Sequence, residues 1–427
     1  MSRVVVVGGG LAGCGAALAA AKAGARVTLV ERTDMLAGVA VRAGETNGNG
    51  WFVANHELRF LGAGELSDAI KSIKLHDGVE FPDSSRHVFI FNTGLLEPMV
   101  KRIVKEAGIE VLLETRALDV RRQEGRLLAV KLADGRVVEG DAFVDCTGGR
   151  GGISICRKYG KGCVMCHVKC PAFGDRVGMV EKAGGKVYDR RRPDGNHGQV
   201  GKAITVFKDT LARSLKVRLE REGLLKMPLP PEMVDYSKHG LMGGLRTKDF
   251  ISNLILTDIG LVAKLSGLGF MTQEDLRRVP GFENVEVESP RASKYNAIVY
   301  IGLAFRDSAM KVKDFENLFC GGEKAGHGSV EGAITSGTLA GHNAARSACQ
   351  MEPLVLPESM ALGDFFAYTT EEFKSPAGRD KPYHMGFGEY WERMQRTGLY
   401  TGDVEKIKRR VKEAGMLDIL AKKLSRH

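Results

Sequence analysis

An α/β fold built on a dinucleotide-binding unit and interrupted by a second domain is predicted by three observations. Residues 3–31 run as an apolar strand, a glycine turn, an alanine-rich helix and a second strand. Residues 109–148 read as short strands joined by turns and close on the apolar stretch AFVDCTG. Residues 317–346 then repeat the order of short strand, glycine-rich loop and small-residue helix. The first and third patterns are far apart in the chain, so a Rossmann-like domain split by an inserted substrate domain accounts for all three.

The first element, RVVVVGGGLAGCGAALAAAKAGARVTLVER, assigns each glycine a mechanical task. Gly8 permits the tight turn, Gly10 lets the backbone approach a pyrophosphate, and Gly13 lets the helix pack close to the strand. The helix N-terminus offers unpaired N–H groups to the phosphates. Glu31 lies 21 residues after Gly10 at the end of the second strand, with Arg32 beside it. An acid there accepts hydrogen bonds from an adenosine ribose. The uncharged run 4–21 is no membrane helix or export signal, because three consecutive glycines would break the apolar stretch and another strand follows directly. A cytoplasmic location is therefore expected, with no membrane association, and the eight cysteines are reduced there unless they bind metal or cycle catalytically.

In the meander, turns are expected at Glu124-Gly125 and Asp134-Gly135, and its last strand runs into Thr147-Gly148. In the late segment a strand at Leu318 to Cys320 leads through Gly321-Gly322-Glu323 to a helix from about Val330. So glycine-rich a junction is costly unless a ligand approaches the backbone.

These three segments resemble the two-dinucleotide-binding-domain flavoproteins. Within them they resemble the GidA-like FAD-dependent oxidoreductases and the folate- and FAD-dependent tRNA methyltransferases. The resemblance covers the first 35 residues, the meander with its CTG ending, and residues 317–346. It implies FAD as cofactor and a Rossmann-like FAD domain. It also implies that Glu323 meets the flavin ribityl chain, and that the stretch Gly326 to Gly332, including Gly328, faces the flavin ring and pyrophosphate. Gly148 and Gly322 join the same set. No second nucleotide fingerprint follows, because TGGRGGI at 147–153 and HGLMGGLRTKD at 239–249 both lack the helix, strand and acid that would complete one. The domain reading is thus 1–150 for the first part of the FAD domain, 151–290 for the inserted substrate domain, 291–350 for the return of the FAD domain, and 351–427 for a carboxy-terminal helical segment.

The inserted stretch carries four cysteines, Cys156, Cys163, Cys166 and Cys170, with gaps of six, two and three residues and Pro171 after the last. Four thiolates suit an iron–sulfur cluster or, with His167 as an alternative ligand, zinc. The pair Cys163 and Cys166 equally suits a dithiol–disulfide couple, its thiols acidified by Lys158, Lys161 and Lys169. A third reading makes Cys170 a nucleophile, since KCPAFGDRV resembles the catalytic-cysteine stretch CPS-x-x-DKV of the GidA-like tRNA-modifying enzymes at Cys170, Pro171, Asp175 and Val177. CVMCH also matches the covalent haem pattern, but haem attachment takes place outside the cytoplasm. Cys14, Cys146, Cys320 and Cys349 sit in apolar small-residue runs and read as packing.

With 43% hydrophobic and 27% charged residues the chain is an ordinary globular protein, and disorder and fibrous classes are excluded. Its net charge of +10 is spread along the chain. The runs YDRRRPDG at 188–195 and EKIKRRVKEAG at 405–415 mix in acids and read as solvated surface. Arg291, Lys294, Tyr295 and Arg306 precede the late glycine segment, where cations would hold an anionic substrate. His327, inside KAGHGSVEG, would hydrogen-bond the flavin or the substrate. His197 and His239 read as ordinary surface or core residues. The last residues read as helices, packed on the body or on a second subunit.

The functional expectation is an FAD-dependent oxidoreductase acting on a small molecule or a redox protein beside the cysteine loop. A tRNA-modifying enzyme with Cys170 as nucleophile is the runner-up. An electron-transfer subunit of a larger redox complex is the third reading, and a homo-oligomer is compatible with all of them.

Overall fold

The computed structural model describes residues 2–43, 50–79, 88–149, 177–191, 195, 199–200, 203–234, 252–266, 272–289, 298–299, 301–386 and 388–425. Five parallel strands form the central sheet, in the order Leu318–Cys320, Ala142–Asp145, Arg3–Val7, Arg26–Val30, Glu110–Leu112. The strands Leu318–Cys320, Ala142–Asp145 and Arg3–Val7 are short, apolar and nearly completely buried, as expected of a sheet covered on both faces, while the edge strand Glu110–Leu112 is only partly buried. Register decides the function of this sheet. Val7 pairs with Val30 on one side and with Asp145 on the other, and Asp145 pairs with Cys320. Four loops therefore leave the same carboxyl edge next to one another, where open α/β sheets bind their ligands.

The helices Leu11–Lys22 and Val330–Ala348 cover one face as a close pair. Their contact is made by backbone. A Cβ on Gly337 would lie 2.1 Å from the Ala12 carbonyl oxygen, and one on Gly341 would lie 2.0 Å from that of Ala16. Glycine at those two positions lets the helices approach closely enough to bury Cys14, Ala16 and Ala17. The other residues of the meander, Ala117–Gln123, Arg126–Leu132 and Val137–Glu139, form a three-stranded antiparallel sheet. Its hairpin turns at Glu124-Gly125, where both residues have positive φ as a two-residue primed turn requires. Asn317 ties this sheet to the late strand, accepting from Leu127 N at 2.9 Å and donating to the carbonyls of Leu127 and Asp141.

A second, antiparallel sheet orders Leu224–Pro228, Asn253–Asp258, Val262–Ser266, Ala203–Phe207 and Val287–Ser289. The helix Arg213–Glu222 packs on it, and Val206, Leu219, Ile255, Leu256 and Phe282 form a hydrophobic core separate from that of the body. The hairpin Lys74–Val79 with Val88–Phe91 reaches across to it from the body, and His76 Nε2 lies 3.0 Å from the buried Asp258 carboxylate. One stretch inside 151–290 belongs to the body instead. Met179 and Val180 are buried in the main core, Val180 N donates to Asp145 Oδ2 at 3.0 Å, and Val187–Asp189 pairs with Gly302–Ala304.

The carboxy-terminal segment folds as helices Ala361–Glu372, Pro376–Asp380, Gly388–Arg396 and Val404–Glu413 against the body of the same chain. Glu57 anchors it. Fully buried, that carboxylate accepts from the N–H groups of Ala361 and Leu362 and pairs with Arg410 at 2.8 Å. Breaking such a buried pair costs about 3–5 kcal/mol, because the remaining charge stays uncompensated. Among the described residues, no helix is long and apolar enough to cross a membrane.

Candidate dinucleotide site

At the carboxyl edge of the parallel sheet lies a cavity of about 800 Å³, a size suited to a large bound cofactor. Its walls come from the early glycine turn, the end of the second strand, the loop after the third core strand, and the late glycine turn. Gly8, Gly10 and Glu31 come from the early unit, and Gly322, Glu323 and Gly328 from the late turn. Both glycine-rich segments thus line one space. Arg32, Thr33, Thr115, Gly148 and Ser329 complete the parts of the wall used below.

The three fingerprint glycines do different things. Gly8 has φ +105°, and a Cβ there would meet the Cys146 carbonyl oxygen at 2.3 Å. Gly13 would drive a Cβ to 1.7 Å from the Gly8 carbonyl oxygen. The protein itself requires these two. Gly10 is unlike them, because a Cβ there would meet nothing within 4 Å among the described residues. No packing among them demands glycine at this position, yet it caps the helix that opens on the cavity. A bulky group brought against the backbone from the cavity side supplies the missing demand.

The ends of the two helices differ as well. Gly10 offers no side-chain cap, and the first turn of Leu11–Lys22 contains no acid, so its N–H groups and positive dipole end are available to an anion. The helix Val330–Ala348 is capped by Ser329, whose side chain accepts from Gly332 N at 3.1 Å. Glu31 is held in place for its task. Gly9 N donates to its Oε2 at 2.7 Å and Thr33 N to its Oε1 at 2.8 Å. A carboxylate accepts about four hydrogen bonds, so capacity for a ribose hydroxyl remains.

Behind the floor, Asp145 is completely buried and accepts from Thr147 N at 3.0 Å, from the Thr147 hydroxyl at 2.7 Å and from Val180 N. Burial raises its pKa, and the buried Lys324 ammonium opposes that rise. Lys324 itself pairs with Glu181 at 2.7 Å. The thiols around the site are inert. Burial pushes Cys14 and Cys320 up to about 12 and Cys146 well above its ordinary value, so none is a thiolate near neutral pH. Cys14, Cys146, Cys320 and Cys349 are all free and buried, in keeping with packing.

Comparison with known proteins bears on what this cavity holds. The family described as FAD dependent oxidoreductase matches residues 3–151, and that described as glucose inhibited division protein A matches residues 265–352. In three dimensions the chain superposes on GidA from Aquifex aeolicus with a TM-score of 0.64 over 96% of this chain and 76% of that one, at 16% identity. The chain is similar to GidA in fold and, over residues 3–151, to the FAD-dependent oxidoreductase family. Among curated proteins, the methylenetetrahydrofolate–tRNA-(uracil-5-)-methyltransferase TrmFO of Lysinibacillus sphaericus is 32% identical over 121 residues, 28% of this chain and 26% of that protein. TrmFO of Bacillus cytotoxicus is 34% identical over 117 residues, 27% of this chain and 26% of that protein. The GidA-like chain therefore spans about a quarter of the length of the curated relatives it matches.

The residues present fit FAD. The open face at Gly10 and the uncapped helix suit a pyrophosphate, and the preset Glu31 suits an adenosine ribose. Glu323 and Gly328 line the same cavity from the late turn and would meet the flavin half. Other expected residues are placed elsewhere. His327 is fully buried and does not line the cavity. Its ring packs on Phe365 and Phe366, and its Nε2 accepts from Arg306 Nη2 at 3.2 Å. Arg306 is also buried, and its donors go to the Ala325 carbonyl, Thr369, Thr370 and His327. Arg190 is buried as well, an exception within the run YDRRRPDG, where Arg191 and Gly195 are exposed. Cys156, Cys163, Cys166 and Cys170, with His197, His239, Arg291, Lys294 and Tyr295, lie outside the described residues. Among the described residues no group of three His, Cys, Asp or Glu side chains could hold a metal ion. The reading of the sequence missed Thr33 and Ser329. The signal for Ser329 was present, since a serine directly before a helical run is an N-cap.

Proposed function

We propose that this GidA-like protein binds FAD across the cavity and exchanges a hydride or an electron pair with a substrate admitted at the Glu323 side. The observation that carries the reading is the pair of glycine turns lining one cavity, with Gly10 left open toward it by the protein's own packing. Bound there, FAD would supply two-electron redox chemistry. The chain's own contributions are electrostatic and positional. The uncapped end of Leu11–Lys22 would neutralise the pyrophosphate, Glu31 would orient the ribose, and the N-terminal end of Val330–Ala348 would place a positive dipole beside the flavin half. The buried, neutral thiols at the floor would not compete for electrons.

The test is the purified protein itself. It should carry a flavin spectrum, or acquire one with FAD at one equivalent per chain, and lose it on Gly10→Val. A colourless protein that takes up no FAD refutes the reading. A second reading, modification of tRNA with Cys170 as nucleophile, is supported by the similarity to TrmFO and by the net charge of +10. It predicts tRNA retention that weakens steeply with salt and is lost at high ionic strength. Iron, zinc and acid-labile sulfide analysis of anaerobically purified protein separates a metal role from a thiol role for Cys156, Cys163, Cys166 and Cys170.

A further inference from the structure

The late glycine turn has two sides. Glu323 and Gly328 line the cavity, while Ala325, Gly326 and His327 between them are buried and do not line it. Few side chains of its own hold this stretch, a short 3-10 turn over Gly322–Ala325 that ends at Gly326 in the left-handed region, φ +89°. What meets the buried side is the carboxy-terminal helix Ala361–Glu372 with Phe373 directly after it. The His327 ring lies on Phe365 and Phe366, and a Cβ on Gly326 would come within 2.2 Å of the Phe373 ring. Among the described residues, none from that helix lines the cavity itself.

Arg306 joins the turn to the helix. Its side chain is buried, and burial lowers its pKa to about 10, so near neutral pH it remains a cation with five donors. Toward the turn, Nε and Nη2 both donate to the Ala325 carbonyl, at 3.2 and 3.1 Å, and Nη2 reaches His327 Nε2 at 3.2 Å. Toward the helix, Nη2 donates to the Thr369 hydroxyl at 2.8 Å. Nη1 donates to the Thr370 hydroxyl and, at 3.4 Å, to the Phe366 carbonyl. The Asp307 carbonyl takes a further bond from Nη1 at 3.2 Å. The guanidinium also lies 5.2 Å from the centre of the Phe373 ring. One planar group thus fastens the residues between Glu323 and Gly328 to a single stretch of helix.

Taking a guanidinium out of water is costly, and apolar side chains of similar volume are often as stable in its place. What arginine alone offers is a rigid fork that meets acceptors on two segments at once. We infer that Arg306 is a positioning residue for the flavin half of the cofactor, locking the turn between Glu323 and Gly328 onto the helix Ala361–Glu372. Through this lock the carboxy-terminal helix, which supplies none of the cavity wall, sets how tightly the flavin is held. A turn fixed in its binding geometry before the ligand arrives loses less conformational freedom on binding. None of these bonds reaches the early turn, where Gly9 N and Thr33 N hold Glu31. The lock therefore acts on one half of the dinucleotide only. The inference rests on the proposed FAD site and deepens it.

The experiment uses the full chain freed of flavin and titrated calorimetrically with FAD and with ADP, which carries the adenosine and phosphates alone. In Arg306→Met the FAD dissociation constant should rise at least tenfold, while that for ADP should change less than twofold. Arg306→Lys, which keeps the charge and loses the fork, should fall between the parent and Arg306→Met. An unchanged FAD affinity in Arg306→Met, a parallel loss of FAD and ADP affinity, or full recovery in Arg306→Lys overturns the inference. Should Arg306→Met fail to fold, shown by loss of its thermal transition, the double variant Thr369→Val with Thr370→Val decides. It removes two acceptors on the helix and leaves Arg306 in place. There FAD affinity should fall at least threefold with ADP affinity unaltered, and any other result overturns the lock. A parent chain that binds ADP and not FAD refutes the cofactor reading itself, a result visible before any variant is made.

Discussion

The two glycine turns that wall the cavity look alike in sequence and are built differently. The early turn ends in a helix with no side-chain cap and no acid in its first turn, whereas the late helix is capped by Ser329 and carries Glu331 at its start. In the early turn Gly8 and Gly13 are demanded by the protein and Gly10 is not. In the late turn Gly321 and Gly322 are crowded, with Gly337 Cα and Ala12 Cβ 2.9 Å from their hypothetical Cβ atoms. Gly328, which lines the cavity, would make only ordinary contact with the Glu323 side chain at 3.4 Å. The lesson is that glycine content marks two separate requirements, close protein packing and close ligand approach. A hypothetical Cβ tells them apart.

Substitutions can break that comparison, and the largest effect is expected at the packing glycines. Gly13→Ala and Gly337→Ala each press a methyl group onto a backbone carbonyl. Each should cost about 3 kcal/mol or more, read as a collapse of the thermal midpoint together with loss of bound flavin. Gly10→Val should do the opposite on both counts. Stability of the FAD-free protein should change by about 0.5 kcal/mol or less, while FAD affinity, measured by fluorescence titration, falls at least tenfold.

A third difference is that only the late turn carries a histidine. His327 is held well below its ordinary pKa, first by burial and then by the positive charges of Arg306, His384 and Arg190. Its unfolded form takes up a proton below about pH 6.5 and its folded form resists doing so. Stability from this group is therefore present above pH 6.5 and lost as the pH falls below it, by roughly 1 kcal/mol per unit. His342, lowered to about 4 chiefly by burial, adds a loss of the same sign between pH 6.5 and 4. Urea denaturation from pH 7.5 to 5 should show this slope, and His327→Gln should flatten it. An unchanged slope would remove His327 from the account. The smallest effect is expected for Gly328→Ala, with FAD affinity reduced a few-fold and stability nearly unaltered. A tenfold loss there would make the two turns equal in their approach to the ligand.

The β-α-β unit was legible because its signals are local. Strand, turn and helix follow from neighbouring residues, and the task of each fingerprint glycine depends on atoms within one turn of chain or the adjoining strand. The meander was legible for the same reason, since Glu124-Gly125 dictates its hairpin whatever surrounds it. The burial of Arg190 and His327 was not legible because it is decided by partners distant in sequence. Arg190 is covered by Arg379 and Ile301, and His327 by Phe365 and Phe366, none of which its own neighbourhood announces. The assignment of residues 177–191 to the inserted domain missed for a related reason. That stretch is drawn back to the body by the Asp145 carboxylate and by pairing with Gly302–Ala304.

The amino-acid order by itself determined the early nucleotide fingerprint, the class of fold and the kind of ligand, because those depend on backbone conformations that glycine alone permits and on periodicities of two and 3.6 residues. Tertiary structure alone decided that the late turn lies beside the early one, that two helices meet through Gly337 and Gly341, and that two arginines lose their solvent. These outcomes arise from the register of the parallel strands and from close packing between distant segments, and no local stretch of chain carries either.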